Sequence, residues 1–345
     1  MLDHHQGGPR TTKVAVVGAA GHTGRFVVAE LLKRGLAPVA IGRDPAKLAQ
    51  LAAEGIETRL ADVQAPSSLD RALDGASAVI NCAGPFLDTA EPVISAALRA
   101  RIPYLDTAAE QPSTLTAFER FAEPATAAEV AVVPAMGFYG GLGDLLATAT
   151  LGDWDFADDL RIAIALDSWR PTEGTRRTGA RNTAQRVFIA DRRLQPLPNP
   201  APTASWTFPE PFGPQDMVEL PFSETIQISR HLKVNRLHSY LNLTPLLDLR
   251  DAATPPPEAA DETGRSDQVF LMEAVARRGG QERRAWVTGR DIYAVTAPLI
   301  VEAVERLLAA PPRGGVFAPS ELFDAALFLE SLAPRHLAYE VAARP

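Results

Sequence analysis

The stretch VVGAAGHTG, residues 16–24, sets Gly18, Gly21 and Gly24 three residues apart, behind an apolar run and ahead of an amphipathic one. Glycine costs conformational entropy wherever its freedom is unused, so three at fixed spacing need a use. In a strand–turn–helix unit the first permits the tight turn, the second lets backbone approach a pyrophosphate, and the third lets helix and strand pack closely. The helix N-terminus then offers free amides and the positive end of its dipole to the anion. The alternative is a turn that merely packs, and the surrounding pattern speaks for the dinucleotide reading.

That pattern is an alternation of short apolar runs with amphipathic stretches through residue 135, the βαβ signature. KVAVVGA (13–19) reads as the first strand. TGRFVVAELLKRG reads as a helix with Phe26, Val27, Leu31 and Leu32 on one face, ended by Gly35. APVAIGR is a second strand, and DPAKLAQLAAEG a helix with Asp44 as N-cap, Pro45 at its first position and Gly55 beyond its end. IETRLAD, SAVINCAG, IPYLDTA and VAVVPA supply four more strands. Six strands with right-handed helical crossovers predict an α/β fold that opens with a Rossmann domain, a doubly wound parallel sheet.

Beyond residue 135 the texture changes. LRIAIALD alternates Leu160, Ile162, Ile164 and Leu166 with Arg161, Ala163, Ala165 and Asp167, the period of a sheet with one covered face. VFLMEAVARRGGQERRAWVTG reads as two strands joined at Gly279 and Gly280. Between them, LQPLPNPAPTASWTFPEPFGPQDMVELPF is too rich in proline for strand interiors and is expected as a long loop or lid bordering the cleft, or a mobile excursion. ATPPPEAADETG is a second irregular loop. AVTAPLIVEAVERLLA and APSELFDAALFLESLA read as helices, the latter capped by Ser320, packing back on the first lobe. The expected division is a Rossmann domain over 1–140, a second α+β lobe with a mixed or antiparallel sheet over 141–293, and C-terminal helices over 294–345 returning to the first domain.

Composition narrows the function classes. The 345 residues are 46% hydrophobic, enough for more than one lobe, and the net charge of -8 has no long one-sign block behind it. Neither nucleic acid nor a membrane is an expected partner, a homodimer is allowed, and a small molecule is the expected ligand. No apolar run reaches the length of a membrane span, and the opening MLDHHQGGPR lacks the apolar core of a secretory signal, so the expected location is the cytoplasm. The single cysteine, Cys82, reads as a small buried apolar residue. The six histidines show no metal-ligand spacing, and no metal is expected. None of the five tyrosines has a lysine four residues on, and G-x-S-x-G and P-loop motifs are absent.

GAAGHTGRFV, IGRDPAKL, VINCAGPF, PYLDTAAEQP and PAMGFYGGLGDLLA resemble the saccharopine dehydrogenase-like reductases, a family that includes saccharopine reductases and trans-acting enoyl reductases. GRDIYAVTAPLIVEAVERLLA and GVFAPSELFDAALFLESL extend the resemblance over most of the chain. It implies a Rossmann domain, a substrate lobe with a mixed sheet, and a C-terminal helix returning to the first domain. After the sixth strand this chain has FYGGLGD where the family often has an Asp-Ser-x-Pro-Ser-Asp-type segment, a departure that speaks against saccharopine itself as substrate.

In doubly wound sheets the ligand lies outside the carboxyl ends of the strands. Gly18, Ala20, Gly21, His22, Thr23 and Gly24 would form the phosphate turn. Arg43 and Lys47 stand where a carboxylate would select NAD, and so point to the 2'-phosphate of NADP; Asp44 before Pro45 competes as a ribose ligand or serves as a cap. Asp62, with Val63, would face adenine or close a turn. Asn81, Ala83, Gly84 and Pro85 form a backbone wall for the nicotinamide ribose, with Thr107 at the same rim. Phe138 and Tyr139 reach the cleft, Tyr139 as proton donor or as a packed hinge residue. Arg176, Arg177, Arg181, Asn182 and Arg186 would hold an anionic or polarised substrate group, or form a solvated face; Arg177, Arg181 and Asn182 are the substrate candidates. His231 and His238 read as structural. The sum is an NADPH-dependent reductase of an imine or an activated C=C or C=O bond, with a non-catalytic NADP sensor of the NmrA-like type, or an accessory protein, as the alternatives.

Overall fold

The computed structural model describes residues 12–342, so MLDHHQGGPR lies outside the described residues. The first part of the chain runs β1 (Lys13–Val17), α1 (His22–Lys33), β2 (Ala37–Gly42), α2 (Pro45–Ala53), β3 (Glu57–Leu60), α3 (Pro66–Leu73), β4 (Ala78–Asn81), α4 (Phe86–Ala100), β5 (Tyr104–Asp106), α5 (Gln111–Ala128) and β6 (Ala131–Val133). A π-helical turn, Phe138–Leu142, leads into α6 (Gly143–Leu151), β7 (Asp159–Leu166), α7 (Glu173–Arg181), β8 (Val187–Ala190), β9 (Arg193–Pro196), β10 (Thr203–Thr207) and β11 (Pro214–Glu219). There follow α8 (Ser223–His231), β12 (Leu237–Asn242), α9 (Leu243–Arg250), β13 (Val269–Arg278) and β14 (Gln281–Arg290). The chain closes with α10 (Thr296–Ala309), β15 (Gly315–Val316), α11 (Pro319–Leu322), α12 (Ala325–Leu332) and β16 (Leu337–Val341). Among the described residues no helix is long and apolar enough to cross a membrane.

The first sheet is parallel throughout, in the order β15-β6-β5-β4-β1-β2-β3. Val14 and Val16 of β1 pack with α1 on one face, Ala15 and Val17 on the other, which is why the strand reads as an unbroken apolar run. Strand order reverses between β1 and β4, and there the glycine turn sits. In α1 the buried stripe is Val27, Val28 and Leu31. Phe26 is only partly buried and Leu32 is half exposed, because it falls on the far flank of that stripe. Asp44 caps α2 as expected, accepting from the amides of Ala46 at 2.9 Å and Lys47 at 3.3 Å. α10 returns to α1, where the Arg34 guanidinium reaches Glu302 and Glu305, each at 2.6 Å.

The second sheet has the order β10-β11-β12-β7-β13-β14-β16, with β8 attached to β12 and β9 to β8, and only the β12–β7 pair runs parallel. Three expectations are corrected by this lobe and the C-terminal segment. β7 is buried on both faces: its leucines and isoleucines join the main core, while Ala163 and Ala165 lie under Trp206, Phe208 and Met217. The alanines are the small side of a covered strand rather than its wet side. Those covering rings come from the proline-rich segment, which is not a lid but strands β9, β10 and β11. Pro196 ends β9 and Pro214 starts β11, and TASWT of β10 holds no proline, so none stands inside a ladder. The segment after residue 294 serves both sheets, β15 extending the first and β16 the second. Ser320 is no cap: Ala318 and Glu321 start α11, and Asp324 caps a separate α12, which packs on α6.

Candidate active site

The glycine turn is shaped by contacts on three sides. Gly18 has φ +78°, and a Cβ there would stand 2.9 Å from the backbone of Ala83 in the turn after β4. At Gly24 a Cβ would lie 2.2 Å from the Gly18 carbonyl, so helix and strand can meet only on glycine. Gly21, the N-cap of α1, brings no capping side chain, and among the described residues the amides of His22, Thr23 and Gly24 have no acceptor. A pyrophosphate fits that set of free donors.

The neighbouring strand ends complete this side. Asn81 turns its side chain inward, donating to Thr89 and Tyr104 and accepting from the Ala83 amide at 3.0 Å, so it shapes the turn from behind rather than touching a ligand. Cys82, Ala83, Gly84 and Thr107 line the cavity, whereas Pro85, in a cis peptide with Gly84, stands behind them. Burial and the charge of Asp106 push the Cys82 thiol up to about 12, which keeps it protonated. Asp106 itself, buried, accepts from the amides of Ala108 at 2.9 Å and Ala135 at 2.8 Å and ties the ends of β5 and β6 together. Asp62 accepts from the Gln64 amide at 2.9 Å, the turn reading of that residue, and with Val63 it lies outside the cavity lining. Arg43 and Lys47 are exposed with no ion-pair partner among the described residues, and Lys47 lines the cavity.

The opposite wall belongs to the second lobe. After β6 the chain makes its π-helical turn on Gly140 and Gly141, where a Cβ would stand 2.2 Å from the Ala135 carbonyl and 2.9 Å from the Met136 sulfur. This turn delivers Phe138 and Tyr139 to the cavity. The Tyr139 ring stacks on Phe222 at 4.0 Å and leans toward Trp169 at 5.6 Å. Its hydroxyl is buried without a partner, and burial, with Tyr293 and Glu224 nearby, pushes its pKa well up; only Arg186 pulls it back. Tyr293 fixes the roof: its hydroxyl accepts from Trp169 Nε1 at 3.0 Å and meets Thr175 of α7 at 2.9 Å. Thr178 of α7 sits over Gly84, so this exposed helix closes on the first lobe.

The cavity so enclosed measures about 840 Å³ and runs from the glycine turn to the aromatic wall. Of the basic stretch, Arg176, Arg177, Asn182 and Arg186 line it. Arg181 does not: it pairs with Asp88 of α4 at 2.9 Å, pinning α7 rather than holding substrate. Arg177 is engaged by Glu173 one turn away. Several lining residues had no part in the expected site, Trp169, Phe222 and Tyr293 among them, and Glu110, Pro256 and Pro257 as well. Glu110, buried, accepts from the Phe86 amide at 3.0 Å through one oxygen and leaves the other unpartnered; burial pushes its carboxyl up to about 7. Pro256 and Pro257 come from the second irregular loop, so the loop that borders the cleft is that one. Of the longer proline-rich stretch, only its end at Leu220 and Phe222 reaches the cavity. His231 and His238 are structural, bonded to Asp144 at 2.6 Å and Glu219 at 2.8 Å.

Comparison with known proteins fits this geometry. Residues 18–110 match a family of NAD(P)H-binding domains. Over 114 residues, 28% of this chain and 25% of the relative, the sequence is 31% identical to a probable mitochondrial saccharopine dehydrogenase-like oxidoreductase of Arabidopsis thaliana. Over 149 residues, 37% of this chain and 35% of the relative, it is 27% identical to the saccharopine dehydrogenase-like oxidoreductase of Rattus norvegicus. The alignments thus span between a quarter and about a third of those relatives. Apo saccharopine dehydrogenase (L-Glu forming) from Saccharomyces cerevisiae shares the whole fold, with TM-score 0.65 over 96% of this chain and 100% of that one, at 12% identity. Fold and cleft define a two-lobed NAD(P)-binding Rossmann protein. Within that class, the chain is similar to saccharopine dehydrogenase-like oxidoreductases over part of its sequence and shares the whole fold of a saccharopine dehydrogenase.

Proposed function

We propose that this chain is an NADPH-dependent reductase acting on an imine or an activated C=C or C=O bond of a small metabolite, with the reaction between its two lobes. The observation that carries this reading is the cavity beside the glycine turn, bordered by three buried polar atoms without partners: His22 Nε2, Glu110 Oε2 and Tyr139 Oη. Buried polar groups are ordinarily satisfied, and three together at one cavity await a ligand. The nicotinamide supplies the hydride; the chain's part is to orient the substrate, exclude water and handle a proton. Tyr139 is the proposed donor: its proton passes to the substrate, and the charge left on Oη faces Arg186.

NADP is the proposed nucleotide. Asp44, the carboxylate that could hold the ribose of NAD, is occupied at the start of α2, while Arg43 and Lys47 are free for a 2'-phosphate. Screening NADPH oxidation against imine, enoyl and ketone panels tests the proposal. Turnover on one class supports it; tight nucleotide binding with no turnover on any returns the sensor reading.

A further inference from the structure

We propose that the second-lobe half of the cavity takes a largely apolar molecule bearing a single carboxylate, and that Arg186 holds that carboxylate. This deepens the reductase reading and rests on it for the site's use, although the binding it describes needs no turnover. Arg186 donates to the Pro221 carbonyl at 2.6 Å and lies over the Phe222 ring at 4.8 Å. Among the described residues no carboxylate stands within 4.0 Å of it, in contrast to Arg177 and Arg181. Arg176 bonds the carbonyls of Asp251, which follows α9, and Thr254 in the loop beyond it. The buried carboxyl that senses Arg186 is Glu224, and it is turned elsewhere, accepting from the Phe222 amide at 3.0 and 3.1 Å and from Thr225. Arg186 is therefore a half-buried guanidinium with donors left over and no contacting anion, a state a ligand carboxylate relieves through a forked pair.

The surface beside it defines the rest of the ligand. Phe222, Tyr139 and Trp169 all line the cavity beside the guanidinium and give the body of the ligand an aromatic, apolar border. Arg176, the other lining guanidinium without a carboxylate partner, is bonded to two loop carbonyls, so Arg186 is the cation beside the rings and matches one charge there. A substrate with several carboxylates and amines would leave charges facing rings, at the desolvation cost that unpaired ions carry.

Calorimetric titration of the NADP⁺-saturated protein with trans-cinnamate and with trans-cinnamamide tests this. The two probes share shape and differ in charge. The acid is expected to bind at least about tenfold more tightly than the amide. Arg186→Gln should abolish that preference while keeping cinnamamide within about threefold, and Arg186→Lys, which keeps the charge and loses the fork, should fall between. Equal affinity of acid and amide in the unsubstituted protein overturns the proposal, as does undiminished cinnamate binding by Arg186→Gln. Should that variant fail to fold, the acid–amide pair on the unsubstituted protein decides alone. Failure of the reductase reading shows separately, as acid-selective binding with no NADPH oxidation on any panel.

Discussion

Tyr139 illustrates how a single atom separates two roles. Its ring is part of the core, stacked on Phe222, but its hydroxyl bonds nothing among the described residues. Tyr139→Phe keeps the packing and removes only that oxygen, so stability should hold or rise slightly, since an unpartnered buried hydroxyl contributes nothing in return for its desolvation. If Oη delivers the proton, kcat should fall roughly 100-fold with nucleotide affinity unchanged. Normal kcat with a shifted Tm would make it a packing residue. Arg43 poses a simpler choice. It is exposed and without an ion-pair partner among the described residues, beside a carboxylate already committed to α2. NADPH should bind roughly 10- to 150-fold more tightly than NADH, and Arg43→Glu should reverse much of that preference while leaving the phosphate turn intact. Side-by-side titrations with both nucleotides check it, and equal affinities before substitution reject the role of Arg43.

Among elements, α7 carries the most functional weight on the fewest contacts. None of its residues is buried, yet it roofs the cavity, held by the Tyr293 hydroxyl, by Thr178 over Gly84 and by the Arg181–Asp88 pair. Tyr293→Phe removes the shared hydroxyl from Trp169 and Thr175 together. Amide exchange in residues 173–181 should speed up severalfold and KM should rise more than kcat falls. Unchanged exchange would show that the ion pair suffices. The Rossmann elements were legible in sequence because each has its own punctuation: the glycine turn, Asp44 with Pro45, and apolar runs buried on both faces. Strands β9 to β11 were not, because proline count hides proline position: each proline of these strands stands at an end, where its missing N–H is harmless. Tyr139 and the basic stretch were visible as residue types. Glu110 was not, since only the fold shows that its carboxyl meets the start of α4 across the cavity floor. The split of the basic stretch, with Arg186 inward and Arg181 bound to α4, likewise depends on partners distant in sequence.

At the scale of the whole molecule, the lobes share a node at Asp144. This fully buried carboxylate of α6 bonds His231 of α8 at 2.6 Å and accepts from the Ser320 amide of α11 at 2.9 Å. α8 also rests on α5 of the first lobe, and its Gln227 donates to the Pro134 carbonyl at 2.7 Å. Burial pulls the His231 pKa down, but the charge and hydrogen bond of Asp144, helped by Glu321, leave it raised overall. A histidine raised on folding stabilises fully below its unfolded value, about 6.5, and the gain is lost as pH climbs through the folded value. Glu110 works in the same direction lower down: its carboxyl moves from 4.5 to about 7 on burial, so it favours the fold most below 4.5 and the gain is lost as pH rises to about 7. The two groups therefore divide the pH axis. His22 and His336, both lowered by burial, work against Glu110 below 6.5, so each effect is read from pH 5 to 9 as a difference from the unsubstituted protein: Glu110→Gln should remove a fall in Tm below about 7, and His231→Gln a fall above it. His231→Gln should also lower Tm by roughly 5 °C or more at pH 6, because it leaves Asp144 without its cation. Thermal melts across that range decide it: a decline above pH 7 that survives in His231→Gln would remove the node from the pH response.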